Sequence, residues 1–174
     1  TLEVNPIITV DAGPSQDICL GDSIQIALDT TISPGTPPLS YSWSPAGSVS
    51  DASIFNPYFS PITTTTFSVD VTDSKGCSGT DQLELRVSNL VVSAGVDGFI
   101  CANDSFQLAV DTTIAPGTPP LTYQWSPSFS LNNNAIYNPI AFPSDTTTYL
   151  LTVTDAVNCE SIDSVKIDVS HLSV

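Results

Sequence analysis

The side chains best suited to chemistry in this 174-residue chain are four cysteines, one histidine and 18 Asp and Glu residues. The cysteines stand at 19, 77, 101 and 159, two pairs with the same spacing of 58 (77 − 19 and 159 − 101). There is no Cys-x-x-Cys and no Cys/His set at zinc spacing, which argues against a thiolate metal site. An even count, one pair in each half, reads as one disulfide per half, Cys19–Cys77 and Cys101–Cys159. Such bridges imply an oxidising, extracellular setting. In the chain-entropy description, closing a loop of that length is worth about 4 kcal/mol. The single histidine, His171, leaves no base for a Ser/His/Asp or Cys/His arrangement, so the chain is not read as an enzyme.

The carboxylates give the sharpest metal hypothesis. Asp22, Asp29, Asp73 and Asp81 recur 82 residues later as Asp104, Asp111, Asp155 and Asp163. Asp73 and Asp81 flank a turn, and a Cys19–Cys77 bridge would bring Asp22 to them. Asp22, Asp73 and Asp81, with Asp104, Asp155 and Asp163 in the second half, then form two candidate calcium sites. No retained Lys or Arg offsets that charge, and a hard dication with oxygen ligands would. The competing reading makes Asp22 and Asp73 turn residues that accept backbone N–H bonds, with water screening the rest. Candidate stacking rings for a glycan are Phe55, Tyr58 and Phe59, then Phe129, Tyr137 and Phe142; against them, only Phe55/Tyr137 share a position. Asn103-Asp104-Ser105 fits an N-glycosylation pattern.

The elements that must hold these residues repeat as a block. Ala12–Ser88 laid over Ala94–Ser170 needs no gap and matches at 37 of 77 positions, so each copy is a structural unit. The expected division is residues 1–88 and 89–174, the last few overlapping the start of a third copy, as in a slice of a longer array. Helical periodicity is absent. Apolar residues alternate instead: Ile24-Ile26-Leu28, Leu39-Tyr41-Trp43, Phe67-Val69-Val71 and Leu83-Leu85-Val87. The second copy keeps the alternation with different residues, as a packed core permits. Edge strands are expected at Ile7–Asp11 and Leu90–Ser93. Short strands, Pro/Gly/Asn/Ser breaks and a Trp on a central strand predict two tandem immunoglobulin-like β-sandwiches of about seven strands, an all-β fold.

Only Ser88 and Asn89 separate the strands at the join, too few for a flexible tether, so a stiff array is expected. The run Asp29–Pro45 is identical at 14 of 17 positions. Either its proline-rich loop is a rigid contact surface, or its restricted backbone admits few residues, or gene conversion has kept the copies alike. The formal charge is −15, from 3 Lys and Arg against 18 acids, which disfavours nucleic acid and anionic membrane surfaces as partners. No apolar run approaches membrane-spanning length. A Lys–Asn isopeptide is disfavoured, because Lys75 and Lys166 fall on Val157 and Glu84.

Several strings together resemble a known group: Ala12-Gly13, Ile18-Cys19-x-Gly21-Asp22-Ser23, Tyr41-Ser42-Trp43-Ser44-Pro45, Asn56-Pro57 and the run 63–77. They resemble the polycystic-kidney-disease (PKD)-like and immunoglobulin-like repeats of very large surface proteins of gliding bacteria. The likeness covers nearly all of both copies. It departs in the longer loop Ile32–Leu39 and in Ala102-Asn103, which replace Leu20-Gly21. It implies a seven-stranded sandwich, export to the cell surface and service as stalk or adhesive modules, with no catalytic site. Partners would be neighbouring repeats, other surface proteins or glycans. The resemblance also suggests O-glycosylation at Thr30, Thr112, Thr146 and Ser23. The functional expectation is therefore a structural or adhesive module pair, with a glycan-binding accessory module or a calcium-rigidified spacer as alternatives.

Overall fold

A computed structural model describes residues 8–33 and 35–171, with the side chains of residues 30–33, 112–114 and 116 left aside. Ile7, at the start of the first expected edge strand, lies outside the described residues. So do Pro34 of the proline-rich loop, residues 172–174 where a third copy would begin, and the side chains of the glycosylation candidates Thr30 and Thr112. The chain divides into two units at Ser88/Asn89.

In unit 1 the strands are β1 (Thr9–Asp11), β2 (Gln16–Cys19), β3 (Ile24–Gln25), β4 (Asp29–Ser33), β5 (Ser40–Ser44), β6 (Tyr58–Phe59), β7 (Thr65–Thr72) and β8 (Ser78–Ser88). One layer is a four-stranded sheet in the order β2-β8-β7-β5. The facing layer is made of two short antiparallel pairs, β1 with β4 and β3 with β6. Strand β2 runs parallel to β8, with Gln16 beside Leu85 and Cys19 beside Ser88. The β7–β8 hairpin is the backbone of the sheet, in register from Thr65↔Leu85 to Thr72↔Ser78.

Alternation decides which face is buried. Phe67, Val69 and Val71 on β7, with Leu85 on β8, are fully inaccessible, and they meet Ile8, Val10, Ile26, Leu28 and Phe59 from the facing layer. Trp43 sits at the centre, its indole N–H donating to the Ile54 carbonyl at 3.1 Å. Phe59 bridges it to Phe67 through two edge-to-face contacts, with centroids 4.9 and 4.7 Å apart. Each such buried aromatic removes about 150–250 Å² of surface from water, which is how so short a chain sustains a core.

Unit 2 repeats the plan with β9 (Leu90–Ser93), β10 (Gly98–Cys101), β11 (Phe106–Gln107), β12 (Asp111–Pro116), β13 (Thr122–Ser126), β14 (Ile140–Ala141), β15 (Thr147–Thr154) and β16 (Glu160–Ser170). Its main sheet is β10-β16-β15-β13, and Cys101 lies beside Ser170 as Cys19 does beside Ser88. The expected all-β, immunoglobulin-like sandwich is what the chain adopts. Each unit has eight short strands rather than about seven, because the second layer is cut into two pairs.

Candidate functional site

Each sandwich has two ends. The chain enters at the upstream pole, beside the β7–β8 or β15–β16 turn, and leaves at the downstream pole, where β8 or β16 finishes. The residues singled out from sequence are distributed between these poles.

At the upstream pole of unit 1, Asp73 is 5% exposed and its carboxylate is fully engaged by amides. Its Oδ1 accepts the N–H of Lys75 at 2.9 Å and of Cys77 at 2.8 Å, and its Oδ2 accepts the N–H of Thr36 at 3.0 Å. Thr36 belongs to the proline-rich loop, whose carbonyl takes the Ser74 N–H at 3.1 Å and the Ser74 hydroxyl at 3.0 Å. The Thr36 amide, ahead of the others, holds the Asp73 carboxyl below its ordinary pKa, against the opposing effect of burial. Gly35 is required here: its φ is +66°, and a Cβ would stand 2.9 Å from the Ile8 side chain and 3.2 Å from that of Asp73. Unit 2 reproduces the clasp. Asp155 Oδ1 accepts from Val157 at 3.0 Å and Cys159 at 2.9 Å, Oδ2 accepts from Thr118 at 3.0 Å, and Gly117 repeats Gly35 with a φ of +64°. The near-identity of the 29–45 run thus has a local cause: its Gly-Thr backbone must fit and clasp a buried carboxylate.

The other candidate calcium ligands lie elsewhere. Asp81 stands opposite Val69 on β8, four residues beyond Cys77 and so roughly 13 Å along the strand from the Asp73 turn. Its Oδ2 accepts the Ala12 N–H at 2.8 Å, tying the end of the β1 segment to the sheet; Asp163 does the same for Ala94 at 2.8 Å. Asp22 is at the downstream pole, its N–H bonded to the Cys19 carbonyl at 3.0 Å, and Asp104 repeats this with Cys101 at 3.0 Å. The expected convergence of Asp22, Asp73 and Asp81, and of Asp104, Asp155 and Asp163, is therefore not formed. Among the described residues no three of His, Cys, Asp and Glu are grouped as metal ligands. The turn reading accounts for Asp73 and Asp155.

The cysteines require a second correction. Cys19 and Cys159 are disulfide-bonded, whereas Cys77 and Cys101 are free thiols, so the expected bridges Cys19–Cys77 and Cys101–Cys159 are not formed. The reason is length. Cys19 lies beside Ser88 at one end of β8, and Cys77 lies just before Ser78 at the other. Eleven residues of strand separate them by roughly 35 Å at ~3.3 Å per residue. A disulfide tolerates about 7 Å between Cα atoms at most. The parallel β10–β16 register separates Cys101 from Cys159 in the same way.

The aromatic candidates also divide. Phe59 is wholly buried and offers no face to a sugar, whereas Phe55 is half-buried and makes an edge-to-face contact with Tyr41, centroids 5.7 Å apart. Tyr58, Phe129, Tyr137 and Phe142 are exposed. His171 is exposed, with Nε2 3.6 Å from Asp145. Asn103, of the glycosylation pattern, takes a φ of +73° where unit 1 has Gly21 at +96°, a conformation Asn tolerates better than most residues. No described helix is long and apolar enough to cross a membrane.

No protein-family model matches the chain, and no curated protein does. Solved structures do. The chain is similar to the three N-terminal domains of the Highly Immunogenic Outer Capsid protein (Hoc) of bacteriophage RB49, with 10% identity and a TM-score of 0.58 over 97% of this chain and 70% of that one. It is also similar to a C-terminal 282-residue fragment of intimin, solved in complex with the intimin-binding domain of the translocated intimin receptor. There the identity is 11% and the TM-score 0.56, over 93% of this chain and 63% of that one. At these identities the likeness establishes the tandem sandwich fold.

Proposed function

We propose that this chain is a structural and adhesive module pair of a longer secreted or cell-surface repeat protein, serving as part of a stiff stalk. The observation that carries this reading is the join. Strand β8 ends at Ser88 and β9 begins at Leu90, leaving only Asn89 outside a strand. A linker that short lacks the freedom of a flexible tether. The exact 82-residue repeat, the disulfide and the resemblance to repeats of gliding-bacterial surface proteins support the same reading. Its partners would be neighbouring repeats and other surface proteins, met outside the cell.

The mechanism is mechanical. Pulling on a module loads the paired β2–β8 and β10–β16 strands, while the Asp73 and Asp155 clasps keep the upstream loops fixed to the hairpins. Backbone ¹⁵N relaxation tests the stiffness: both units should report one common tumbling tensor, and four Gly/Ser residues inserted after Asn89 should split it into two. Two independent tensors in the unaltered chain would contradict the proposal.

A further inference from the structure

Each main sheet has two edge strands, β2 and β5 in unit 1 and β10 and β13 in unit 2. An edge exposes a row of N–H and C=O groups that another chain can pair with, so proteins cover or charge their edges. Three of these four are managed. On β5 the Trp43 N–H donates to the Ala52 carbonyl at 2.9 Å, and on β13 the Trp125 N–H donates to the Asn134 carbonyl at 2.8 Å. Each of those strands is thus partly covered by the chain that follows it. Edge β2 carries a charge, Asp17, held by Arg86 Nε at 2.8 Å. The fourth edge is bare. Strand β10 reads Gly98-Phe99-Ile100-Cys101, without a charge, and Phe99 stands where unit 1 has Asp17. Phe99 is 67% exposed, and unit 1 adopts the same fold without it, so packing does not call for a ring there.

We infer that β10 is a pairing edge for a second copy of this chain, joined antiparallel to the β10 of that copy. Hydrogen-bond direction sets the register. The Ala102 N–H donates to the Ser170 carbonyl at 2.9 Å, in the parallel ladder that sets Cys101 beside Ser170. Ile100 and Ala102 therefore turn their backbone groups toward β16, and Phe99 and Cys101 turn theirs away from it. Among the described residues nothing bonds those outward groups. With a two-fold axis at Ile100, Phe99 of each copy faces Cys101 of the other, and the two pairs exchange four N–H···O bonds. Each ring then lies over the opposite Cys101 side chain, because residues directly across an antiparallel pair share a face. Charge selects the partner. The chain carries −15, so a second copy is repelled wherever acids meet acids. At this edge they do not: Asp168, beside Phe99, is paired with Lys166 Nζ at 2.7 Å, and Asp97 turns back to accept the Lys166 N–H at 2.8 Å. The same pairing through β2 would bring two Asp17 carboxylates into the join, a cost that β10 avoids. Four bonds and two rings make a weak contact, which the repeats of a longer protein would multiply. The inference rests on the stalk reading for that multiplication, and gives the stalk a lateral partner.

The test is sedimentation velocity of the native chain from about 1 μM to 1 mM, with a non-reducing gel to show that the dimer is not covalent. The 18.3 kDa monomer should pass reversibly to a dimer as concentration rises. Over the same range hydrogen exchange should slow at the Phe99 and Cys101 amides, while the Ile100 amide, bonded to β16, is protected throughout. Phe99→Asp, which puts the unit 1 residue in place, should weaken association by about tenfold or more, since both pairs lose a ring. Cys101→Pro should also weaken it, by removing an outward N–H while leaving the bonds to β16 intact. Thermal melts matching the parent chain show that these variants are folded. Three results would overturn the inference: monomers throughout, a dimer that survives Phe99→Asp, or a dimer that leaves the Phe99 and Cys101 amides unprotected. The first would leave the edge to a strand of another protein. Relaxation of the monomeric Phe99→Asp chain separates the two levels. One tensor there keeps the stalk whether or not the parent chain pairs, and two tensors remove the stalk while the pairing stands on its own data.

Discussion

The upstream clasps of the two units match in every residue that supplies the carboxylate or closes on it through Gly, Thr and Cys, whereas their cores do not match. At the upstream pole the same Asp, Gly, Thr and Cys recur with bond lengths within about 0.1 Å of each other. In the core, the Trp43–Phe59–Phe67 stack of unit 1 becomes Trp125, Ala141 and Tyr149. The lost ring is partly replaced by the Tyr149 hydroxyl, which bonds Ser130 Oγ at 2.6 Å. A phenyl ring reappears one residue on at Phe142, now exposed, where unit 1 has Ser60. Likewise Gly98 replaces Gln16, because Phe106 leaves no space: a Cβ there would lie 2.4 Å from its ring. Cores have many solutions of equal volume. A buried carboxylate held by three fixed amides has few, so the pole is the constrained part of the module.

The comparison can be broken most forcefully in the unit 1 core. Phe59→Ala should cost unit 1 about 3–5 kcal/mol, because the Trp43–Phe67 gap cannot collapse. Adding Phe67→Tyr, with Ser48 standing where unit 2 has Ser130, should recover about 1 kcal/mol of that loss. Denaturant unfolding followed by unit-resolved hydrogen exchange measures both. Simple additivity would mean that the two cores do not interconvert through this pair.

At the pole, Asp155→Ala strands the amides of Thr118, Val157 and Cys159 and should cost unit 2 about 3 kcal/mol, with Asp155→Asn costing less because one oxygen remains. A surface-like loss under 0.5 kcal/mol would remove the clasp from the argument. Tyr149→Phe should cost about 1 kcal/mol by deleting the bond to Ser130, a loss absent from unit 1, where Phe67 has no hydroxyl.

The gentlest probe is acid. Asp73 has a folded pKa below its unfolded value of about 3.9, so its stabilisation is present above that value and drains as pH falls through the lower folded one. Thermal melts of unit 1 should therefore fall more steeply below about pH 4 in the parent chain than in Asp73→Asn. Parallel curves would show that the carboxylate charge is not what the Thr36, Lys75 and Cys77 amides stabilise.

Much of this was legible in the chain. Period-2 alternation in Phe67-Val69-Val71 names residues that are all fully buried, and Trp43 takes the central place its strand implied. Asp73 as an N–H acceptor followed from its position before Ser74–Gly76. The cysteine pairing was misjudged, because spacing within a repeat carries no sign of which end of the sandwich a residue reaches. A usable signal was present: Cys19 and Cys77 adjoin the turn residues Gly21 and Gly76, whereas a bridge between sheets uses inward positions within strands. The carboxylate trio failed with it, since only the supposed bridge brought Asp22 to Asp73. The parallel β2–β8 pairing that separates the poles depends on contacts about 70 residues apart, which no local pattern encodes.

The most direct measurement is differential alkylation of the native chain followed by peptide mass spectrometry. The expected result is label on Cys77 and Cys101 before reduction, and on Cys19 and Cys159 only afterwards. A native chain that takes no label and yields Cys19–Cys77 and Cys101–Cys159 peptides would contradict the separation of the cysteines to opposite poles.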